Sequence, residues 1–174
     1  LQVATKIMQE VVNIGNRYPP YGRGTVGMVQ VFPKSRNVIH GEVKFSIDLR
    51  NISDELLNKM HAEILAFADQ TAAETGLKIH TERVSYYPPT PFHPDCINAV
   101  RNATDKLGYT NMEVVSGAGH DAIYAARVAP AGMIFVPCKD GVSHNEIEDA
   151  KSEHLEAGCN VLLHAMLEMA RVVG

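Results

Sequence analysis

A glycine-rich turn at residues 116–122, Ser-Gly-Ala-Gly-His-Asp-Ala, combines residue types that can bind and polarise a ligand. Small residues let the backbone approach a ligand closely, and a helix after such a turn points unpaired N–H groups at any anion there. His120 at the start of that helix could donate a hydrogen bond to a developing oxyanion, and Asp121 could orient a neighbouring group. The alternative is a capped tight turn with a surface histidine, because short glycine-rich turns are common.

A polar loop at residues 137–146 follows an apolar run and is the second candidate for chemistry. Ligands of open α/β sheets bind at the loops that follow the carboxyl ends of parallel strands. His144 in this loop could be a metal ligand, because neutral imidazole binds zinc, manganese and similar ions. A catalytic zinc takes about three protein ligands, so a single histidine is also compatible with a solvated or structural role.

Arg50 lies on the polar face of an alternating segment, and its planar guanidinium is suited to bidentate capture of a substrate carboxylate. The alternative is a surface ion pair with Asp48 on the same face, which would contribute only about 0–1 kcal/mol. Asn37 lies in a turn and could be no more than a turn former. The remaining histidines are interpreted as solvated or structural: His40, His61, His80, His93, His154 and His164.

The first half of the chain has the pattern of a layered α+β unit. Residues 1–17 are apolar at helical spacing, residues 25–32 and 77–86 predict strands, and residues 43–49 alternate strictly between a core face and a wet face. Ser53 caps a second helix that Gly76 ends. Its predicted buried stripe is Leu57, Met60, Ile64 and Phe67. Two helices on one face of an antiparallel sheet, with a first strand missing, correspond to a ferredoxin-like βαββαβ module.

A proline-rich run at residues 87–94 predicts a domain boundary, which divides the chain into residues 1–87 and 88–174. Beyond it, Asp95 is the predicted cap of a helix to Leu107, residues 112–115 and 133–136 predict strands, and a helix starts near His120. This half has the pattern of βα units from a larger α/β sheet. The final helix has a predicted inner stripe of Leu155, Cys159, Leu162, Met166, Met169 and Val173.

The 174 residues carry 16 basic and 20 acidic side chains, a net charge of -4, which gives no electrostatic reason to expect nucleic acid or an anionic membrane as a partner. Three cysteines without CxxC spacing favour a reducing, cytoplasmic location with buried or inert thiols. No stretch of about 20 apolar residues is present, and the first residues lack the pattern of a secretory signal.

Taken together and in order, five motifs resemble those of the N-carbamoyl-L-amino-acid hydrolases and their relatives, the β-ureidopropionases and allantoate amidohydrolases of the M20 metallopeptidase clan. The motifs lie at residues 24–27, 35–39, 45–51, 116–122 and 140–146. The resemblance implies a lid and dimerisation domain followed by the carboxyl-terminal segment of a dinuclear-metal catalytic domain. It also implies a cytoplasmic homodimer that acts on a small substrate with a carboxylate.

The same resemblance implies a role for individual residues. Arg50 would bind the substrate carboxylate, and Asn37 and the Gly119 backbone would hold the substrate. His120 would polarise the scissile carbonyl, and His144 would be a ligand of one of two divalent ions (zinc, manganese, cobalt or nickel). The other metal ligands and the general-base glutamate of the family lie upstream of these residues, so we expect this fragment alone to be inactive and not to retain the metals.

Two other functions are compatible with these motifs. The substrate could be allantoate, from which a related amidohydrolase releases ammonia. The chain could also be a dimerisation and binding module without chemistry of its own.

Overall fold

The computed structural model describes residues 1–171, with backbone alone for Arg171, and divides into two compact units. The first is Leu1–Pro89, and the second begins at Thr90. Among the described residues, no helix is both long enough and apolar enough to cross a membrane.

The first unit packs two helices against a two-stranded antiparallel sheet. Its elements are α1 (Gln2–Arg17), β1 (Arg23–Phe32), β2 (Glu42–Arg50) and α2 (Asp54–Thr75). The buried core comes from the inner faces of both helices, and β1 and β2 contribute partly buried side chains such as Phe45 and Leu49. The core residues are Ile7, Val11, Ile14, Met60, Ile64 and Ala68. The predicted helices and the first two strands are therefore confirmed, with Leu57 and Phe67 half-buried rather than central.

Both ends of α2 form as the sequence predicts. The Ser53 hydroxyl accepts a hydrogen bond from the Leu56 amide at 3.3 Å, and Asp54 and Glu55 occupy the first turn, where they complement the helix dipole. Gly76 ends the helix with a φ of 69°, a left-handed conformation that glycine adopts without steric cost.

Helix α1 lies directly on β1, backbone against backbone. A Cβ atom at Gly24 would lie 2.1 Å from the Val11 carbonyl oxygen, and one at Gly15 would lie 2.4 Å from the Gly24 nitrogen. Neither distance is possible for real atoms, so the close contact between helix and sheet depends on glycine at both positions.

The predicted third strand at residues 77–86 is wrong, because the sheet of this unit has two strands in the described chain. Side chains attach the segment to α2 instead. Arg83 bonds the His61 Nδ1 atom at 3.0 Å and stacks over the Tyr86 ring at 4.9 Å, while the Tyr86 hydroxyl donates to the Asp54 carboxylate. Only an α-β-β-α arrangement is observed, so the complete ferredoxin-like module is not formed.

The second unit consists of helices and irregular segments. Its helices are α3 (Pro94–Lys106), α4 (Ala122–Ala125) and α5 (Ser152–Arg171), with a 3-10 turn at Lys139–Gly141. Helices α3 and α5 pack through small side chains, the buried residues being Ala99, Ala103, Val161 and Ala165.

The predicted strands at residues 112–115 and 133–136 are not formed among the described residues. Met112 is 80% exposed and Phe135 is 50% exposed. A parallel strand needs a neighbouring strand to satisfy its backbone groups, and the described part of this unit contains none. The sequence pattern of a buried strand is present without the partner that would complete it.

The predicted cap of α3 is also wrong. His93, not Asp95, caps α3, since its imidazole accepts a hydrogen bond from the Asp95 amide at 3.2 Å and Pro94 is the first helical residue. Proline is favoured at the first position of a helix, which Pro94 occupies in α3, because it has no amide hydrogen to leave unpaired. The helix expected near His120 is confirmed as the short α4, which begins at Ala122.

The inner stripe of α5 differs from the predicted one. Val161 and Ala165 are buried, and Met169 packs beside them as predicted, whereas Leu155, Cys159, Leu162 and Met166 are exposed. Val173 lies outside the described residues. The exposed side chains border an apolar cavity of about 530 Å³ between α3, α5 and residues 130–136. The large apolar residues of α5 thus line an open space rather than a closed core.

Candidate functional site

Arg50 lies at the carboxyl end of β2, where the strand alternation places it on the exposed face with Asp48. Its Nε and Nη2 atoms donate to the Asp48 Oδ1 and Oδ2 atoms, each at 2.8 Å. The two side chains are 53% and 47% exposed. The predicted alternative, an ion pair between these residues, is therefore observed, and the guanidinium remains at the surface.

The pair shifts both ionisation equilibria in the same sense. The hydrogen bond from Arg50 and its positive charge lower the pKa of Asp48, and the hydrogen bond to Asp48 together with its negative charge raises the pKa of Arg50. Both groups are therefore charged at neutral pH. The Arg50 guanidinium is therefore already bound to a carboxylate, that of Asp48.

Arg23 lies directly across the sheet from Arg50 and was not singled out by the sequence. Its guanidinium donates to the carbonyl oxygens of Pro20 and Gly22, each at 2.8 Å. Residues directly opposite on antiparallel strands share a face, so two arginines and one aspartate occupy this end of the sheet. Arg23 could be identified only from the register of β1 and β2, which the sequence pattern does not give.

Asn37 lies in the loop between β1 and β2, at the opposite end of the hairpin from Arg50. It is exposed, and its Oδ1 atom accepts a hydrogen bond from the Ser35 hydroxyl at 2.7 Å. Strand β2 has nine residues from Glu42 to Arg50, so at about 3.3 Å per residue its two ends lie about 26 Å apart. Asn37 and Arg50 of one chain therefore cannot contact the same amino-acid-sized molecule.

The glycine-rich turn holds His120 in a defined position in the second unit. The Ser116 hydroxyl and the His120 Nε2 atom are 2.6 Å apart, and the same hydroxyl accepts a hydrogen bond from the Ala118 amide at 3.2 Å. The Phe135 ring meets the imidazole edge-on at a centroid distance of 5.6 Å. Gly119 has open space where a Cβ would be, so a ligand could approach its backbone. Ser116 was part of the predicted turn but was given no role.

His144 lies in an exposed loop with unusual backbone geometry. Its φ is 56°, and Asp140 in the same loop has a φ of 53°. Such left-handed conformations of residues other than glycine are uncommon and often occur at functional sites. The His144 amide donates to the Glu148 carboxylate at 2.9 Å, and the Ser143 hydroxyl lies 3.2 Å from the Nδ1 atom. These contacts orient the ring and engage Nδ1 rather than Nε2.

The described residues do not form a complete metal site. No group of three or more His, Cys, Asp or Glu side chains is arranged around a common point in the part of the chain that the structure describes. The imidazole of His144 has the donor chemistry of one metal ligand, but a site that holds a metal firmly needs further donors from elsewhere.

The other histidines and the cysteines were not predicted to take part in catalysis. His61 and His93 have the hydrogen bonds described above. His154 is different, because its Nδ1 atom is buried and has no hydrogen-bond partner among the described residues. Cys138 and Cys159 are exposed and Cys96 is partly buried, so burial, one of the two alternatives expected for the thiols, does not hold for Cys138 and Cys159.

Comparison with known proteins places these residues in a family context. Residues 6–168 match Peptidase family M20/M25/M40. The chain is 42% identical over 168 residues to an N-carbamoyl-L-amino-acid amidohydrolase of Rhizobium meliloti and 31% identical over 170 residues to an allantoate amidohydrolase of Bacillus subtilis. These alignments cover 97% and 98% of this chain but 40% and 41% of the relatives.

A solved structure gives the same result for the fold. The crystal structure of an amidase of the hydantoinase/carbamoylase family from Burkholderia multivorans aligns with a TM-score of 0.90 and 50% identity. The alignment covers 96% of this chain and 41% of that one. The chain thus spans about two fifths of the length of the proteins that it matches.

Proposed function

Because this chain belongs to Peptidase family M20/M25/M40, we propose that the whole protein hydrolyses the carbamoyl C–N bond of N-carbamoyl-L-amino acids. The resemblance stated from the sequence motifs is confirmed by relatives with that name. The observation that carries the substrate assignment is the surface guanidinium of Arg50, which already binds a carboxylate in bidentate geometry. An N-carbamoyl amino acid presents the same group.

In this proposal the residues of the chain bind and polarise the substrate. Arg50 binds the substrate carboxylate, and Asn37 and the Gly119 backbone hold the rest of the molecule. His120 donates a hydrogen bond to the carbamoyl oxygen, where negative charge develops as water adds to the carbon. Ser116 and Phe135 support this role because they fix the position of the imidazole.

We also propose that His144 contributes one ligand to a site for divalent ions. The Ser143 hydroxyl contacts Nδ1, so Nε2 is the ring nitrogen that would bind the ion. When bound, such ions lower the pKa of a water molecule and stabilise developing negative charge. Since the described residues supply no other ligands around a common point, residues outside this chain must complete the site, and we expect the 174-residue chain to be inactive alone.

The separation of Asn37 and Arg50 supports a homodimer. The two residues lie at opposite ends of the same hairpin, so both can contact one substrate only if one of them comes from a second copy. We propose that residues 1–87 form a lid and dimerisation domain and that residues 88–174 complete a catalytic domain.

Replacement of Arg50 in the whole protein tests the proposal. Arg50→Ala should raise KM for N-carbamoyl-L-alanine about 10- to 100-fold, because charge-assisted hydrogen bonds to the carboxylate are lost. The matched control is Lys44→Ala, which removes another cation from the same face of β2 and should leave KM unchanged. An Arg50→Ala enzyme with the wild-type KM would contradict the assignment.

Allantoate is the second candidate substrate, favoured by the 31% identity to an allantoate amidohydrolase. Parallel assays with N-carbamoyl-L-alanine, N-carbamoyl-β-alanine and allantoate distinguish the possibilities by kcat/KM. Absence of turnover with all three by a folded, metal-loaded whole protein would favour a non-catalytic binding module.

A further inference from the structure

The Ser116 hydroxyl makes two hydrogen bonds with different requirements. Its Oγ atom accepts a hydrogen bond from the Ala118 amide at 3.2 Å. A backbone amide can only donate, so this contact uses a lone pair of the oxygen and leaves the hydroxyl proton for another partner. The second contact is to the Nε2 atom of His120 at 2.6 Å. The hydroxyl proton is therefore available for the imidazole.

The length of the contact between Ser116 and His120 indicates which group donates. Hydrogen bonds from N–H groups to oxygen usually measure about 2.7–3.2 Å, whereas bonds donated by a hydroxyl to oxygen measure about 2.5–3.0 Å. The observed 2.6 Å is short for an imidazole N–H donor and lies within the hydroxyl range. The distance therefore favours a bond in which the Ser116 hydroxyl donates and the Nε2 atom accepts.

This bond determines where the ring proton of His120 lies. A neutral imidazole carries one proton, so a ring that accepts at Nε2 is protonated at Nδ1. The Nδ1 atom has no hydrogen-bond partner in the part of the chain that the structure describes. The Phe135 ring meets the imidazole edge-on, with an interplanar angle of 68°, and restricts its rotation. The N–H group left for a ligand is therefore the one at Nδ1.

We propose that Ser116 is a positioning residue that keeps His120 protonated on Nδ1, and that this N–H group, not the one at Nε2, donates to the carbamoyl oxygen. The inference rests on the proposed function, since Ser116 acts on the substrate only through His120. With its proton on Nε2, the ring would turn a lone pair at Nδ1 toward the developing negative charge and could not stabilise it. The tautomer thus decides whether His120 assists the reaction.

Nitrogen NMR of the whole protein, isotopically labelled at its histidine rings, locates the proton directly. Protonated and unprotonated ring nitrogens differ in chemical shift, and loss of the signals in His120→Gln assigns them. At about pH 8, where an imidazole in water is neutral, we expect the proton on Nδ1 in wild type. In Ser116→Ala, a detectable fraction should move to Nε2. A proton on Nε2 in wild type, or the same distribution in Ser116→Ala, would overturn the proposal.

Steady-state kinetics with N-carbamoyl-L-alanine test the consequence for the reaction. Ser116→Ala should lower kcat about 3- to 10-fold with KM close to wild type, because the affected hydrogen bond matters mainly in the transition state. Ser116→Thr keeps a hydroxyl and should retain kcat near wild type. The matched control is Ser53→Ala, since the Ser53 hydroxyl also accepts from a backbone amide, at 3.3 Å, but contacts no histidine among the described residues. It should leave both parameters unchanged.

Substitution of His120 distinguishes its two nitrogen atoms. The side-chain amide nitrogen of asparagine can take the place of Nδ1, and that of glutamine can take the place of Nε2. His120→Asn should therefore retain a higher kcat than His120→Gln. Equal rates, or a faster His120→Gln enzyme, would contradict the assignment of the donor to Nδ1.

The outcomes also separate this inference from the proposed function. If His120→Ala has the kcat of wild type, the assignment of His120 fails and this inference fails with it. If His120→Ala lowers kcat but Ser116→Ala does not, this inference alone is overturned. An equal loss in Ser116→Ala and Ser116→Thr would mean that the turn is disturbed and would likewise reject it. In the His120→Ala background, we expect Ser116→Ala to have no additional effect, because its role passes through the imidazole.

Discussion

Single residues in this chain illustrate how neighbours set ionisation. His61 of α2 accepts a hydrogen bond from Arg83 through Nδ1, which requires a neutral ring. Burial and the positive charge of Arg83 lower the pKa of His61 from 6.5. The unfolded chain therefore binds this proton more readily than the folded chain. The contribution of His61 to stability is fully present above pH 6.5 and is lost as the pH falls through the lowered pKa.

The variant His61→Gln tests this effect, because glutamine keeps an acceptor for Arg83 but does not titrate. We expect the loss of stability between about pH 8 and about pH 5 to be smaller in His61→Gln than in wild type. Urea unfolding at the two pH values measures it. The control is His80→Gln, because His80 lies in the same segment as Arg83 but is exposed. An identical pH dependence in wild type and His61→Gln would show that His61 is not responsible.

Residue-level features were predictable where the chemistry is local. The caps of α2 at Ser53 and Gly76 follow from a hydroxyl that reaches the first free amides and from a glycine that accepts a left-handed φ. The pairing of Asp48 with Arg50 was an open alternative because both share one face of a strand. The cap of α3 was mispredicted, since Asp95 is the preferred residue type but Pro94 at the first helical position places the cap at His93.

At the scale of elements, the contact between α1 and β1 depends on glycine. Gly24→Ala would place a methyl group against the Val11 carbonyl. Since the backbone of α1 would have to move away, we expect a loss of about 1–3 kcal/mol in the free energy of unfolding. Chemical denaturation of the chain measures it, with Gly41→Ala as the control, because a Cβ at Gly41 meets no atom of the described residues within 4 Å. Equal stabilities of the two variants would contradict the close packing.

Elements were predictable when their partners lie within the same unit. Strands β1 and β2 pair with each other, and the helices of the first unit bury the stripes that period 3.6 indicates. The segments at 77–86, 112–115 and 133–136 have strand-like composition but form no strand among the described residues. Hydrophobic alternation indicates which side chains are suited to burial. A strand also needs a neighbouring strand to pair with its backbone, and the alternation does not show whether one is present.

At the scale of the whole molecule, the second unit exposes surface that resembles a core. Leu155, Leu162 and Met166 of α5 are at least half exposed and border the apolar cavity. Their helical spacing correctly predicted an apolar face, but the covering layer is absent from the described residues. This is consistent with a chain that spans about two fifths of its relatives.

The candidate site was likewise predictable from the sequence only in part. The motifs that carry Arg50, His120 and His144 were found from the sequence because family motifs are short and local. The opposite positions of Asn37 and Arg50 on the hairpin were not, because they depend on the register of β1 and β2. In our proposal the chain supplies groups for substrate binding and one metal ligand, and the described residues contain no group of three or more His, Cys, Asp or Glu side chains that could hold a metal ion.

The most direct test of this account is hydrolysis of N-carbamoyl-L-alanine by the metal-loaded whole protein, compared with the 174-residue chain under the same conditions. Each turnover would consume water and release the free amino acid, carbon dioxide and ammonia, so amino-acid release gives the rate. We expect saturable turnover by the whole protein and none by the chain alone. A folded, metal-loaded whole protein that releases no amino acid, or a chain that is active by itself, would contradict the account.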